Sequence, residues 1–545
     1  MNIAKKTAFL SVSNKEGIVD FAKELVALGW DIMSSTGTAK VLKENGVPVT
    51  DLADRVGKPI LGHRVVTLSR EFHAALLARP IPEDEAELAA LNMPRIDLLC
   101  CDFYPLEKEI AKADATPESV IENTDIGGPT MIRSAAKGRR IVVCDANDRQ
   151  KVIEWLKNGE QDAAAFITML AAKAEYTVSK YAFASGAYHA KGTYAAIFGE
   201  KVASCKYGEN AWQTPAGLYA EKNTDPLSLD KFELVEGTEP SYNNFCDLDR
   251  MLQSITHMAA GFERNFKSVP KLGIAVKHGN ACGAAYGENA EEVIKKVTEG
   301  DLQAIFGGSF MANFEIGASE ATVLREWRMG EGAGKRLLDT IIAPSFTNEA
   351  IEILARKGGK CRLLKNKDLA MLGEKSLDTA TRVRYVRGGF LQQPNYTFVI
   401  DFSDSQFSAN GATVSDAIKK DIILAWAIGS TSTSNTISIV KNNRLYGNGV
   451  GQQDRVGAAL LAISRAKNAA TLLGEGELDL SGAVAYSDSF FPFPDGPETL
   501  INAGVTTILS TSGSRNDEMI IKLCQEKGAT LMMLPDAVAR GFYGH

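Results

Sequence analysis

"TAFLSVSNKEGIVDFAKELVALGWDIMSS", residues Thr7 to Ser35, decides how the first part of this chain folds. Its opening run, "TAFLSVS", is short and apolar, as a buried strand is, and Ser13 or Asn14 stands where the cap of a following helix belongs. In "KEGIVDFAKELVALG", Ile18, Phe21, Ala22, Leu25 and Val26 recur on one helical face, and Gly29 supplies the stop. "WDIMSS" reads as a second strand. Outward from there, "TGTAKVLKENG" reads as a short helix, and "IDLLCCDFYP" and "RRIVVCDA" as two more buried strands. Such alternation predicts an α/β fold with a parallel sheet covered by helices. Ligands of these sheets bind at the carboxyl ends of the strands.

Those strand ends are rich in polar groups. "SVSNKEG" (Ser11, Ser13, Asn14, Lys15) and "SSTGT" (Ser34, Ser35, Thr36, Gly37, Thr38) each fall where a strand meets a helix N-terminus. Hydroxyls, free backbone N–H groups and a lysine converging there suit a phosphate, although helix capping accounts for either loop alone. "NTDIGGPTMIRSAAKG" adds Asp125 just outside a helix opened by Gly127, Gly128 and Pro129, with Arg133 and Lys137 one turn apart on it. An acid, a bare helix terminus and two cations could grip an anionic substrate; an ordinary capped helix with exposed charges has the same pattern.

Further along, "VKHGNACGAAYG" sets Lys277 beside His278 on a run that reads as a strand ending in a loop, in a chain with only 6 histidines. Adjacent cations repel, which holds the imidazole neutral and suits acid–base chemistry. Lys-His pairs also occur by chance on surfaces. "GNGVG" (Gly447, Gly449, Gly451) has neither the spacing nor the following acid of a dinucleotide fingerprint, which excludes an NAD reading.

The 545 residues exceed what one hydrophobic core usually supports, so about two to four domains are expected. A hydrophobic content of 45% and a charged content of 23% are those of a globular protein. The net charge of −7 argues against a general nucleic-acid binder. No apolar run approaches a membrane span, and "MNIAKKTAFLSVSNKEG" lacks a signal-peptide cleavage pattern. The 8 cysteines show no CxxC spacing, so reduced thiols in the cytoplasm are expected rather than disulfides or zinc. Neither carboxylates nor histidines show metal-ligand spacing.

"LSVSNKEG", "DIGGPTMIRSAAKG" and "KHGNACG", in this order, resemble the bifunctional AICAR transformylase/IMP cyclohydrolase of purine biosynthesis. The resemblance continues through "KYGENAWQTPAGLY", "SYNNFCDLD", "IFGGSFMANFEI", "RGGFLQQ", "TSNTISIVKNNRLYGNGVGQQDRV", "GAVAYSDSFFPFPDG" and "ARGFYGH", and so covers essentially the whole chain. It implies a methylglyoxal-synthase-like cyclohydrolase domain over 1–198, then a cytidine-deaminase-like α/β transformylase region over 199–545, built of two similar subdomains. The larger region would move a formyl group from the co-substrate 10-formyltetrahydrofolate to the 5-amine of AICAR, with no metal. The smaller would close formyl-AICAR to IMP. Family members are homodimers with transformylase sites at the subunit interface, and the same is implied here, with no nucleic-acid or membrane partner.

Residue by residue, the resemblance makes Lys277 and His278 the transformylase's catalytic pair, with Asn435 bonding the transferring carbonyl. Lys206, Tyr207, Arg540 and Phe542 match nucleotide contacts, as do Phe306, Gly307 and Asp339. Arg455 falls within the matching "GNGVGQQDRV", and "FFPF", with Phe491, would wall the substrate and folate pocket. In the cyclohydrolase, Tyr104, Asp125 and Lys137 match catalytic positions. Ser11, Ser13, Lys15, Ser35, Thr36, Gly37, Thr38, Arg64, Thr67, Gly127 and Gly128 fall at the substrate.

The chain also departs from the family. Val66 stands where a lysine of "GRVKTLHP" helps to stabilise charge, and Ser69-Arg70 replaces His-Pro. Thr36 replaces the first of two glycines, which would narrow access to positive φ. Trp212, Thr433 and Pro494 each stand in place of a polar or cationic residue. A retained but slowed cyclohydrolase is the expectation, since tethered groups need less help than a bimolecular pair. The alternatives are a transformylase whose N-terminal domain only binds a nucleotide, and a non-catalytic nucleotide sensor.

Overall fold

The computed structural model describes residues 5–62, 64–330, 334–411 and 413–544. They divide into two compact units, Met1–Phe198 and Gly199–His545; the final residue of "ARGFYGH" lies outside the described residues.

In the first unit, strands β1 (Thr7–Ser11), β2 (Asp31–Ser34), β3 (Thr50–Asp51), β4 (Leu98–Cys101) and β5 (Ile141–Val143) form a sheet in the order β3-β2-β1-β4-β5. Every pairing is parallel. Successive strand residues alternate between two covered faces: Phe9, Leu99 and Val142 pack with Phe72 and Ile132, while Ala8, Leu10, Leu98 and Ile141 pack with Ile18 and Leu25. Both faces being buried, the strands read as unbroken apolar runs. The expected helices span Ile18–Ala27 and Thr36–Glu44. Thr36 is the first residue of its helix, and neither it nor Gly37 has positive φ. The threonine there therefore costs no backbone strain, contrary to the expectation.

The second unit carries two hairpins outside its main sheet: β6 (Glu200–Cys205) with β7 (Ala216–Ala220), and β14 (Thr381–Val386) with β15 (Gly389–Pro394). The main sheet has twelve strands. Its first half holds β8 (Glu233–Glu236), β9 (Lys271–Lys277), β10 (Asn280–Gly287), β11 (Ser309–Ala312), β12 (Thr340–Ala343) and β13 (Arg362–Lys365). Its second half holds β16 (Ser408–Asn410), β17 (Ile437–Lys441), β18 (Arg444–Gly449), β19 (Ala483–Ser487), β20 (Val505–Ser512) and β21 (Thr530–Pro535). From the centre outward the halves run β10-β9-β11-β12-β13-β8 and β18-β17-β19-β20-β21-β16. Each begins with its edge strand, β8 or β16, then a long helix, Tyr242–Phe266 or Asp416–Ser430, then a tight hairpin, then parallel strands joined through helices.

At the centre, β10 and β18 pair antiparallel at Ala285 and Arg444. The two long helices share one core, with Met251, Ile255 and Phe262 of the first beside Ile423 and Trp426 of the second. Gly447 and Gly449 of "GNGVG" serve packing: a Cβ on either would stand 2.1 or 2.0 Å from the Ala462 or Ala458 carbonyl oxygen of helix Arg455–Leu473.

Candidate active sites

The first site is a cavity of about 690 Å³ at the carboxyl edge of the parallel sheet. It gathers Ser11, Ser13, Lys15, Ser35, Thr36, Gly37, Thr38, Arg64, Val66, Thr67, Tyr104, Asp125, Gly127 and Gly128. Tyr104 and Asp125 were expected as catalytic residues, Val66 in place of the family's lysine, and the others at the substrate. The Ser11 and Ser35 hydroxyls lie 2.9 Å apart, at the ends of β1 and of the turn into helix Thr36–Glu44. The Lys15 ammonium donates to the Val12 carbonyl. Burial pulls its pKa down, with Asp102 opposing. Asp102, which sequence reasoning passed over although it follows β4 directly, accepts the N–H groups of Ser13 and Asn14. Arg64 reaches the Glu122 carboxylate at 2.8 Å.

Opposite lies helix Gly127–Lys137. Its terminus is not bare: the Asp125 carboxylate accepts the Gly128 N–H at 2.9 Å. A Cβ on Gly128 would stand 2.6 Å from that carboxylate, so only glycine admits the acid so close. Burial raises the Asp125 pKa against these backbone hydrogen bonds. Burial also raises that of Tyr104, helped by the Asp125 charge. Lys137 is a correction. It closes the helix ten residues beyond Gly127, about 15 Å along the axis. There it lines a separate shallow depression with Arg139, Thr168 and Glu175. The substitution at Ser69 also finds a use, because its hydroxyl accepts the Phe72 N–H at 3.1 Å and caps helix Arg70–Leu77.

The raised Asp125 pKa carries a stability cost of known sign. The native carboxyl keeps its proton to higher pH than the unfolded chain, where the group ionises near about 4. The cost is absent below that range, grows as pH rises through the native value and is complete above it. Asp125→Asn keeps an acceptor for Gly128 and removes the charge. We expect its Tm to exceed the parent's at pH 7 and the two to converge toward pH 3; a lower Tm at pH 7 would contradict the assignment of the cost to the ionised carboxylate.

The second site, about 490 Å³, straddles the centre of the twelve-stranded sheet. Lys277, His278, Asn280 and Cys282 line it from the first half, and Thr433, Tyr446, Asn448 and Val450 from the second. Where a loop was expected after β9, there is a two-residue turn. Lys277 pairs with Asn280 across it, and His278 and Gly279 have φ of 54° and 71°, the signature of a type I′ turn. The Lys277 ammonium donates to the Phe306 carbonyl at 2.8 Å. Gly307 adjoins it, and the Gly308 carbonyl accepts the Asp339 N–H. Sequence reasoning missed Asp247, which accepts the Gly279 N–H at 2.8 Å and the Ser309 hydroxyl at 3.1 Å.

Beside Thr433, Asn435 pairs with Gln452 through both backbones and its own amide, and Arg455 donates to its side-chain oxygen. Arg455 also meets the fully buried Asp488 at 3.1 Å. Burial raises the pKa of that acid, and Arg455 offsets the effect. Arg540 is exposed, pairs with Asp536 at 2.6 Å and lies 5.9 Å from the Phe490 ring. Phe542 is half-buried in the same tail, and Lys206 and Tyr207 follow β6. None of these last four lines the cavity. Phe491 is a second correction. It is 1% exposed in the core with Ile437, Leu500 and Ile508, whereas Phe493 of the same row is 60% exposed. An apolar ring following β19 gains more from burial under the sheet than from lining a wet cleft. Among the described residues no group of three or more His, Cys, Asp or Glu could hold a metal, and no helix is long and apolar enough to cross a membrane.

Two family models match the chain: an "MGS-like domain" over residues 17–130 and an "AICARFT/IMPCHase bienzyme" over residues 135–465. A bifunctional purine biosynthesis protein PurH of Anoxybacillus flavithermus is 36% identical, covering 97% of this chain and 98% of its own. One of Bacillus cereus is 35% identical, with the same coverage.

Proposed function

Because the chain belongs to the AICARFT/IMPCHase bienzyme family, and so carries the formyl-transfer and cyclohydrolase activities of purine biosynthesis, we propose that its two cavities divide these reactions between them. Ring closure belongs to the cavity at the parallel sheet's carboxyl edge, and formyl transfer to the one at the centre of the twelve-stranded sheet. The observation that carries this division is the gathering of the N-terminal candidates around one cavity and of Lys277 and His278 on another.

For ring closure, the hydroxyls of Ser11, Ser35, Thr36, Thr38 and Thr67, with Lys15, Arg64 and the helix N-terminus at Thr36, hold the phosphate of formyl-AICAR. The carboxamide nitrogen attacks the formyl carbon; Asp125 takes one of its protons and Tyr104 protonates the oxygen to a hydroxyl, which then leaves as water with the proton of the formylamide nitrogen. Val66 contributes no charge to the developing oxyanion, which favours a slowed reaction. Lys137 takes no direct part in this scheme.

For formyl transfer, the AICAR amine is a poor nucleophile because its lone pair is conjugated with the ring. His278 removes its proton as it attacks the formyl carbon of 10-formyltetrahydrofolate, Lys277 and Asn435 stabilise the oxyanion, and the folate nitrogen is protonated as it leaves. Arg540 grips the nucleotide phosphate and Phe542 stacks on the imidazole, both delivered to the cavity with a second subunit. Support for a homodimer comes from the β14–β15 ribbon. Tyr385 and Leu391 on it are 82% and 61% exposed, and a lone two-stranded ribbon is marginal in water. Eight free cysteines suit a reducing cytoplasm.

One purified sample tests the division. Given AICAR and 10-formyltetrahydrofolate it should form IMP, and given formyl-AICAR alone it should form IMP without folate. Accumulation of formyl-AICAR with no IMP would remove the first assignment; untouched AICAR would remove the second.

A further inference from the structure

The two halves of the second unit repeat one strut. In the first half, Asp247 is the sixth residue of helix Tyr242–Phe266 and accepts the N–H of Gly279, the second residue of the hairpin turn, at 2.8 Å. In the second half, Asp421 is the sixth residue of helix Asp416–Ser430 and accepts the N–H of Asn443, again the second turn residue, at 2.8 Å. Each carboxylate has another anchor: the Ser309 hydroxyl for Asp247 at 3.1 Å, the Tyr286 hydroxyl for Asp421 at 2.8 Å. Burial raises the pKa of both acids.

Both turn residues differ, Gly279 against Asn443 at the second position and, more tellingly, His278 against Asn442 at the first. Asn442, with φ of 52°, is the type such a turn favours. His278 holds the same uncommon conformation, with φ of 54°, and the hydrogen bond from Gly279 to Asp247 is what ties its turn to the long helix. The half that carries the histidine is the half whose turn opens on the cavity.

We propose that Asp247 is a positioning residue of the formyl-transfer site: through the Gly279 N–H it fixes the turn that keeps the His278 imidazole beside Lys277, while Asp421 is a copy of the strut that serves the fold alone. This rests on the reading of His278 as the residue that moves the proton.

The full-length protein with Asp247→Ala should lose about 10- to 100-fold in kcat for formyl transfer, the scale of a misplaced catalytic group, with KM for AICAR within about twofold. Its cyclisation of supplied formyl-AICAR should be unchanged. Asp247→Asn, which offers an amide oxygen to Gly279, should recover most of the lost kcat. Asp421→Ala removes an equivalent buried strut and should lower Tm while leaving kcat within about twofold. If Asp247→Ala does not fold, the near-isosteric Asp247→Leu carries the same expectation. A kcat within twofold of the parent in the alanine or leucine variant overturns the proposal, as does an equal fall in Asp421→Ala. Normal transfer in His278→Ala would instead overturn the reading beneath it.

Discussion

His278→Ala should cut formyl transfer by two or more orders of magnitude and leave the fold intact, within the range general acid–base groups supply. Three observations make the effect large. The imidazole lines a cavity of about 490 Å³ next to Lys277. Its turn is pinned by Asp247. Among the described residues no second histidine lines that cavity to take over the proton. The fold should survive because alanine at this single positive-φ position costs only about 1–2 kcal/mol, while Gly279 and the Lys277–Asn280 pairing remain. Ring closure of added formyl-AICAR should run at the parent rate, since its cavity lies in the other unit. Near-normal formyl transfer by the purified variant would remove His278 from the mechanism.

Val66→Lys should accelerate ring closure by about 10²-fold when formyl-AICAR is supplied directly, because one well-placed donor at a developing oxyanion is commonly worth about 10²–10³ in rate. Val66 lines the cavity together with Thr67, Tyr104 and Asp125, so a lysine there needs no rearrangement to reach the reacting oxygen. Among the described residues, the cations already lining the cavity are Lys15 and Arg64. Arg64 is engaged by Glu122, and Lys137 is a helix length away. Burial already pulls the Lys15 pKa down, and a second ammonium would add to that. Fast cyclisation by the parent with no gain from the lysine would mean that Lys15 already supplies the charge. Absent cyclisation in both proteins would leave the N-terminal unit a nucleotide-binding module.

The parallel sheet was legible because buried parallel strands are written as short apolar runs and their helices as one-sided stripes. The cavity followed, since hydroxyls at the ends of Thr7–Ser11 and Asp31–Ser34 must share one sheet edge. Helix Ala163–Ala190 announced itself less clearly: its apolar residues touch both cores through Leu170 and through Ala171 and Ala174, so no single stripe marks it. Lys137 was expected at the site from the resemblance alone, whereas its spacing from Gly127 along the helix sets it apart from that cavity. Which phenylalanine of "FFPF" turns inward is settled by tertiary packing, since all three share the same local chemistry. Asp247 had no local signal either, because its partner turn lies 32 positions along the chain. The repeat in the second unit was expected from the resemblance alone, since its halves share an order of elements that no run of residues displays.

The seam between β10 and β18 has a kinetic consequence. Apart from the edge pairings of β8 with β13 and β16 with β21, neighbouring strands within each half follow closely in sequence, whereas across the seam the Asn443 amide reaches the Tyr286 carbonyl 157 positions away. Closing so long a loop costs more chain entropy than the hairpins and parallel pairings at the centre of a half, and contacts distant in sequence are the slow ones to form. The first half can therefore collapse while the second is still being synthesised, but the formyl-transfer cavity has only one wall until they dock. Catalytic competence is then a property of the final assembly step, and a newly made chain is protected from half-formed chemistry by the order in which its contacts become affordable.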